Sequence, residues 1–351
     1  DIFIPNSIQK INNKAFEGVT SVIVRGTFKN LPENAFKNCS SLNKIIIYDS
    51  QLESIESSVF EGCTSLSEIK IPSSVETIEE NAFLGIQTLS INGDISKIPN
   101  NAFKNCSSLT KITLNDNLNT IRLSAFENCS SLTEITIPSS IQTIKSDAFL
   151  GIKTLIIKGE IQKIPNNSFQ NCTSLTHISL STNELKIVGT SAFEGCSSVE
   201  EIIFDAKSLN TIESSAFQDC KSLINITVPS SVQSIGTNVF KGCSSLKQII
   251  IPSSLSSISE SAFEECSSLV DVTFPSSIQT IQKSAFKKCI SLMKISFPSS
   301  PPNIQESAFQ ECNSLTEITV TSNFNNISFN AFLGIKILTI KGEISYVPSN
   351  C

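Results

Sequence analysis

The sequence predicts an α/β repeat solenoid of about fifteen units of 20–24 residues, with short parallel strands on one face. Three observations predict it. Fifteen phenylalanines, from Phe16 to Phe332, recur every 20, 23 or 24 residues, twelve of them after Ala, two after Val and one after Ser. A fixed period in this range means that each unit buries its apolar side only against its neighbours. Eleven of the twelve cysteines stand three residues after one of these phenylalanines. Seven short apolar runs end at a proline, at Pro5, Pro72, Pro138, Pro229, Pro252, Pro275 and Pro298.

The unit from Phe126 to Phe149 shows the elements in order. Its apolar positions are Phe126, Cys129, Leu132, Ile135, Ile137, Ile141, Ile144 and Ala148. Leu132, Ile135 and Ile137 read as one short strand with Thr136 turned outward, the period of a half-buried strand. Pro138 stops the ladder because it has no N–H to donate. Ile141 and Ile144 bring the chain back along the far side. A single helical turn then carries Ala148 and Phe149 inward. Phe126, Phe193, Phe217, Phe240, Phe263 and Phe286 are expected in the core, with Cys196, Cys220, Cys243, Cys266 and Cys289 packed beside them.

Length changes fall between these elements. The units that begin at Phe16, Phe83, Phe149 and Phe332 are short, and each reads as lacking the Cys-Ser-Ser before its strand. They share a proline on the return leg (Pro32, Pro99, Pro165, Pro348). The 24-residue units carry one more residue after the strand, as at Asp49 or Asn183. Short units start at 16, 83 and 149, so blocks of three repeats lie in tandem, the pattern of block duplication. With no linker or low-complexity tract, residues 1–351 are expected to form a single solenoid domain. At about 4.8 Å per strand it would be roughly 70 Å long. Neither end carries the polar cap that such a stack needs, so the chain reads as a fragment truncated at both ends.

Composition limits the function. A net charge of −6 without a basic stripe argues against nucleic acid. Apolar runs are too short to span a membrane. The regular cysteine column reads as packing by buried free thiols, since neighbouring side chains run parallel and do not converge on a disulfide. A zinc site needs four converging ligands, and the chain has one histidine, His177. No second histidine stands in register with it, so no acid–base or nucleophilic constellation forms there. Glycosylation sequons at Asn38, Asn105, Asn128, Asn166, Asn171, Asn225 and Asn326 are largely by-products of the repeat. The carboxylate pairs Glu200–Glu201 and Glu264–Glu265 read as solvated charge. No enzyme activity, cofactor or metal is expected.

The remaining functional surface is the strand face, where alternate side chains point outward. From Ser67 to Thr319 its outward positions are mostly Thr, Ser, Glu and Lys, with no aromatic anchor of the kind that dominates binding hot spots. The face becomes more apolar between Ile203 and Met293. The candidate binding residues are therefore His177, Glu200, Glu201, Ile203, Lys247, Ile250, Val270 and Met293.

The repeat Ala-Phe-x-x-Cys-x-x-Leu-x-x-Ile-x-Ile-Pro-x-x-Ile-x-x-Ile resembles the leucine-rich repeat of BspA-like proteins, the treponemal-type class. Ala262-Phe263-Glu264-Glu265-Cys266-Ser267-Ser268-Leu269, followed by Val272, Phe274 and Pro275, fits it at every position. The resemblance covers essentially the whole chain. It implies a non-enzymatic adhesion module, on a cell surface or secreted, that attaches to host cells or matrix proteins through a protein ligand or receptor. The alternatives are an intracellular, cytoplasmic scaffold and a structural spacer.

Overall fold

The computed structural model describes residues 2–3, 15–25, 29–48, 51–93, 95–145, 147–158, 161–180, 182, 184–204, 207–297, 301–320, 326–336 and 339–341. Pro5, Asp49, Asn183, Pro298, Pro348 and Cys351 lie outside them. The chain divides into two compact units, Asp1–Ile161 and Gln162–Cys351. In the first, parallel strands follow one another at Ile2–Phe3, Ser21–Arg25, Lys44–Tyr48, Glu68–Lys70, Thr88–Asn92, Lys111–Thr113, Glu134–Thr136 and Thr154–Lys158. In the second they lie at His177–Leu180, Glu201–Phe204, Asn225–Ile226, Gln248–Ile250, Asp271–Thr273, Lys294–Ser296, Glu317–Thr319 and Thr339–Lys341. Core residues of consecutive strands stand opposite one another, as in Ile112↔Ile135, Ile202↔Ile226 and Ile249↔Val272. The return leg forms its own two-residue ladders, for example Lys97–Ile98, Thr120–Ile121 and Thr143–Ile144.

The described residues of the two units form about thirteen parallel-strand turns. The count of fifteen anchors includes Phe16 and Phe332, whose turns run into residues outside those described. The α/β label is corrected: the described residues contain no helix. The reason is local. Two residues per turn flank the anchor Phe in the left-handed region, as with Ser124 (φ 54°) and Asn128 (φ 60°) around Phe126. An L-residue there cannot continue a right-handed helix. The freed N–H groups donate to the next turn instead: Phe103 N to Ala125 O at 2.8 Å, and Asn105 N to Glu127 O at 2.8 Å. Most turns are thus held to a neighbour at the strand and beside the phenylalanine, and the return-leg bonds join them in separate runs of three or four. Asn, Asp and Gly fill many of these left-handed positions because they tolerate them best.

Between these ladders lies the core. Phe126, Phe193, Phe217, Phe240, Phe263 and Phe286 are fully buried, as are Cys196, Cys220, Cys243, Cys266 and Cys289. The anchor rings stack, with Phe193 and Phe217 centroids 5.5 Å apart at 5°, and Phe286 and Phe309 5.3 Å apart at 2°. Both spacings fall within the favoured range for aromatic pairs.

Short units are built differently from the expectation. The position three residues after the anchor persists and is held by Val19, Ile86, Ile152 and Ile335. Each donates its N–H to the anchor carbonyl, as Ile86 does to Phe83 O at 3.4 Å, the bond that Cys106 makes to Phe103 O at 3.1 Å. The segment lost is therefore Ser-Ser-Leu, beyond the cysteine position, and at Ile86 and Ile152 a branched side chain replaces the Cys in the core. The strand compensates. Thr88–Asn92 sets Leu89 opposite Ile112 on one side and Ile91 opposite Ile69 on the other, a two-residue step in register. Both residues are buried.

Candidate binding surface on the strand face

Strand alternation positions the outward side chains. In Gln248–Ile250, Ile249 is buried while Gln248 and Ile250 are exposed. The register places Glu201 beside His177 and Asn225, and Ile203 beside Ser179. Backbone bonds from Ile224 N to Glu200 O, Lys247 N to Ile224 O, Val270 N to Lys247 O and Met293 N to Val270 O string these residues along the strand entries. All eight candidate residues are exposed in the second unit. They occupy two neighbouring tracks: Ile203 and Ile250 on the strands, and Glu200, Lys247, Val270 and Met293 at the entries. His177 and Glu201 lie beside the first track. His177 Nδ1 sits 2.9 Å from Thr176 Oγ1, a contact with its sequence neighbour.

The apolar stretch is real in the structure. Ile250 is 65% exposed and Met293 50%, and Ile203, Ile224 and Val270 are also exposed. They come from five successive turns. Burying a side chain such as Ile250 against a partner contributes about 1.5–3 kcal/mol when complete. The charges around them are of both signs: Glu200, Glu201, Asp271 and Glu317 against Lys247, Lys294 and Lys341. A hydrogen bond from Lys341 at 2.8 Å holds the Glu317 carboxyl below the usual carboxylate range. Apolar residues are also exposed on turns, including Leu123, Ile290 and Phe329. The strand-face residues differ in being neighbours on a hydrogen-bonded sheet.

The cysteines do not contribute to this surface. The eleven in the described residues are free, buried thiols. S–H donation to the carbonyl of the preceding anchor recurs along the column, as from Cys129 to Phe103 O at 3.0 Å and from Cys266 to Phe240 O at 3.1 Å. Burial pushes the Cys63 and Cys106 thiols up to about 12. Among the described residues no three His, Cys, Asp or Glu side chains gather as a metal site. No helix there is long and apolar enough to cross a membrane. A cleft of about 490 Å³ lies on the return leg, lined by Glu76, Glu79, Pro99, Lys104 and Arg122. Glu76 in this cleft contacts Lys97 and lies 4.0 Å from Arg122, and Lys104 pairs with Glu127 at 3.0 Å.

One cluster escaped the reading of the sequence. Tyr48, 50% exposed, stands on the strand face of the first unit. The Arg25 guanidinium lies 5.3 Å from its ring centre and Lys70 Nζ 5.0 Å from it. The signal was present in Lys44-Ile45-Ile46-Ile47-Tyr48, whose alternation runs past the usual three-residue strand. Ser21-Val22-Ile23-Val24-Arg25 alternates in the same way.

The BspA-type leucine-rich repeat profile matches residues 1–93, 29–155, 150–257 and 234–351, in six copies. No curated protein matches the chain. Among solved structures, a leucine-rich repeat protein from Bacteroides ovatus is 27% identical, with 84% of this chain and 86% of that chain covered and a TM-score of 0.53. A leucine-rich repeat protein from Eubacterium ventriosum is 20% identical over 94% of this chain and 92% of that one, with a TM-score of 0.47. A leucine rich cell surface protein from Faecalibacterium prausnitzii is 26% identical over 77% and 82%, with a TM-score of 0.33. With its repeat matched from end to end and its turns built as that repeat requires, the chain belongs to the BspA-type leucine-rich repeat family, whose members mediate protein–protein interaction and are typically non-enzymatic.

Proposed function

We propose that the chain is an adhesion module that docks a polypeptide partner on its strand face, at a cell surface or after secretion, and so attaches to host cells or matrix proteins. The observation that carries this reading is the run Ile203, Ile224, Ile250, Val270 and Met293, exposed on five successive turns of a hydrogen-bonded sheet. Such a sheet holds its side chains in place, so a partner orders little of the surface on binding. The surface location rests on the resemblance of the repeat to BspA-like proteins. Without an aromatic anchor in this stretch, binding is spread over several turns, weak per contact and strengthened by clustering. The test is to immobilise the chain and measure retention of host cells and of matrix proteins against an unrelated solenoid of similar length. Retention above the unrelated solenoid is expected. Equal retention counts against adhesion.

A second reading is an intracellular scaffold that uses the same face. It is favoured by eleven free thiols and no disulfide among the described cysteines, the usage of a reducing compartment. Their burial weakens that argument, because a thiol sealed between turns is kept from oxidants in any compartment.

A further inference from the structure

We propose that the strand face of the first unit docks an acidic polypeptide segment, anchored by Arg25, Tyr48 and Lys70. This rests on the reading of the strand face as a protein-docking surface, and it assigns a separate site and a partner chemistry to it. The three residues come from three adjacent strands, Ser21–Arg25, Lys44–Tyr48 and Glu68–Lys70. Tyr48 stands on the middle strand, with a cation reaching over its ring from the strand on either side. The ring quadrupole attracts both cations and holds two flexible side chains in place. Lys70 is further guided by Gly93, where a Cβ would come within 3.2 Å of Lys70 Cγ and 2.5 Å of Ile71 O. A glycine at this position leaves room for the lysine stem.

The charge of this face fits an anionic partner. Of its described side chains, Arg25, Lys44, Lys70 and Lys111 are cationic and Glu68 is anionic. Glu68 is engaged by Lys44 at 2.8 Å, so among the described side chains of this face cations outnumber carboxylates, in a chain of net charge −6. The guanidinium carries five donors, so contact with the ring and other neighbours uses only part of its capacity. Cations lie over the Tyr48 ring from both neighbouring strands, so a sugar ring stacking there would compete with them. The Tyr48 hydroxyl and the two cationic heads suit carboxylates on one face of an extended peptide, which repeat at about 6.8 Å, every second residue.

The experiment uses the full chain and a fluorescent twelve-residue peptide rich in Asp, with its Asn counterpart as the neutral probe. We expect the Asp peptide to bind at least about tenfold more tightly than the Asn peptide, with affinity falling as salt rises. Lys70→Glu and Tyr48→Ser should each weaken binding about tenfold. Lys287→Glu, on a turn of the second unit, should leave it unchanged, and all variants should keep the wild-type melting transition. Equal binding of the two peptides, or undiminished binding by Lys70→Glu, would overturn the site. So would heparin binding that depends on Lys70 while the peptide fails to bind, since that assigns the cluster to a glycan. If the chain retains cells or matrix proteins while the acidic peptide fails, only this site falls. If cell and matrix retention also fails, the docking reading falls with it.

Discussion

Phe217 shows how much of the fold rests on one side chain per turn. Its ring is fully buried, stacked 5.5 Å from Phe193 and 5.7 Å from Phe240, with Phe204 edge-on at 6.0 Å. Phe217→Ala removes the ring from a site whose walls are fixed by two neighbouring turns, so the cavity cannot close. The expected loss is about 3–5 kcal/mol. Lys247, exposed on the strand face, should lose almost nothing on replacement by Ala. Comparing the chemical unfolding of the two variants checks this, and similar losses would contradict the assigned register. The ring was legible in the sequence because its spacing is fixed and its neighbour is small. Tyr48 was not, because it breaks no spacing: its exposure depends on a strand two residues longer than the usual one.

The turn that carries each phenylalanine is the element where the sequence misled. Ala-Phe followed by polar residues and Cys looks like one turn of helix. The outcome is decided by positions two before and two after the ring, where Asn128, Ser124 and Gly195 take positive φ. Once the chain leaves the helical region at both positions, the N–H groups bond outward to the next turn. The cysteine column lies just beyond. Thiols in unfolded chains ionise near pH 8.5, whereas burial pushes Cys63 and Cys106 up to about 12, so the native state keeps them neutral far longer. Their contribution to stability is complete below about pH 8.5 and is lost as pH rises through the folded value. Unfolding free energy should therefore be flat from about pH 7 to 8.5 and fall above it. Cys106→Val should flatten that fall. A fall no shallower in the variant would mean that thiol burial is not its cause. The short units are another partial success: their brevity was legible, but the place of the deletion was not. Ile86 keeps the bond of the missing cysteine, and the register step that compensates lies in the strand.

At the scale of the whole chain, each unit presents a sheet whose inner side is sealed by stacked rings and whose outer side is free to vary. That division explains why the architecture was readable and the ligand was not. Core positions obey a period because each turn must fit the next. Surface positions obey only alternation, so Ile250 and Met293 stand out by their exposure and neighbours and not by any motif. On the proposed reading, binding resides in this outer side. The most direct measurement is retention of host cells or matrix proteins by three immobilised chains. One is the wild type, one carries Ile203→Lys, Ile250→Glu and Met293→Lys on the strand face, and one carries Glu264→Lys and Lys287→Glu on the turns. The strand-face variant should lose at least about tenfold in apparent affinity, the turn variant should match the wild type, and all three should melt alike. Loss in the turn variant with full binding by the strand-face variant would contradict that reading.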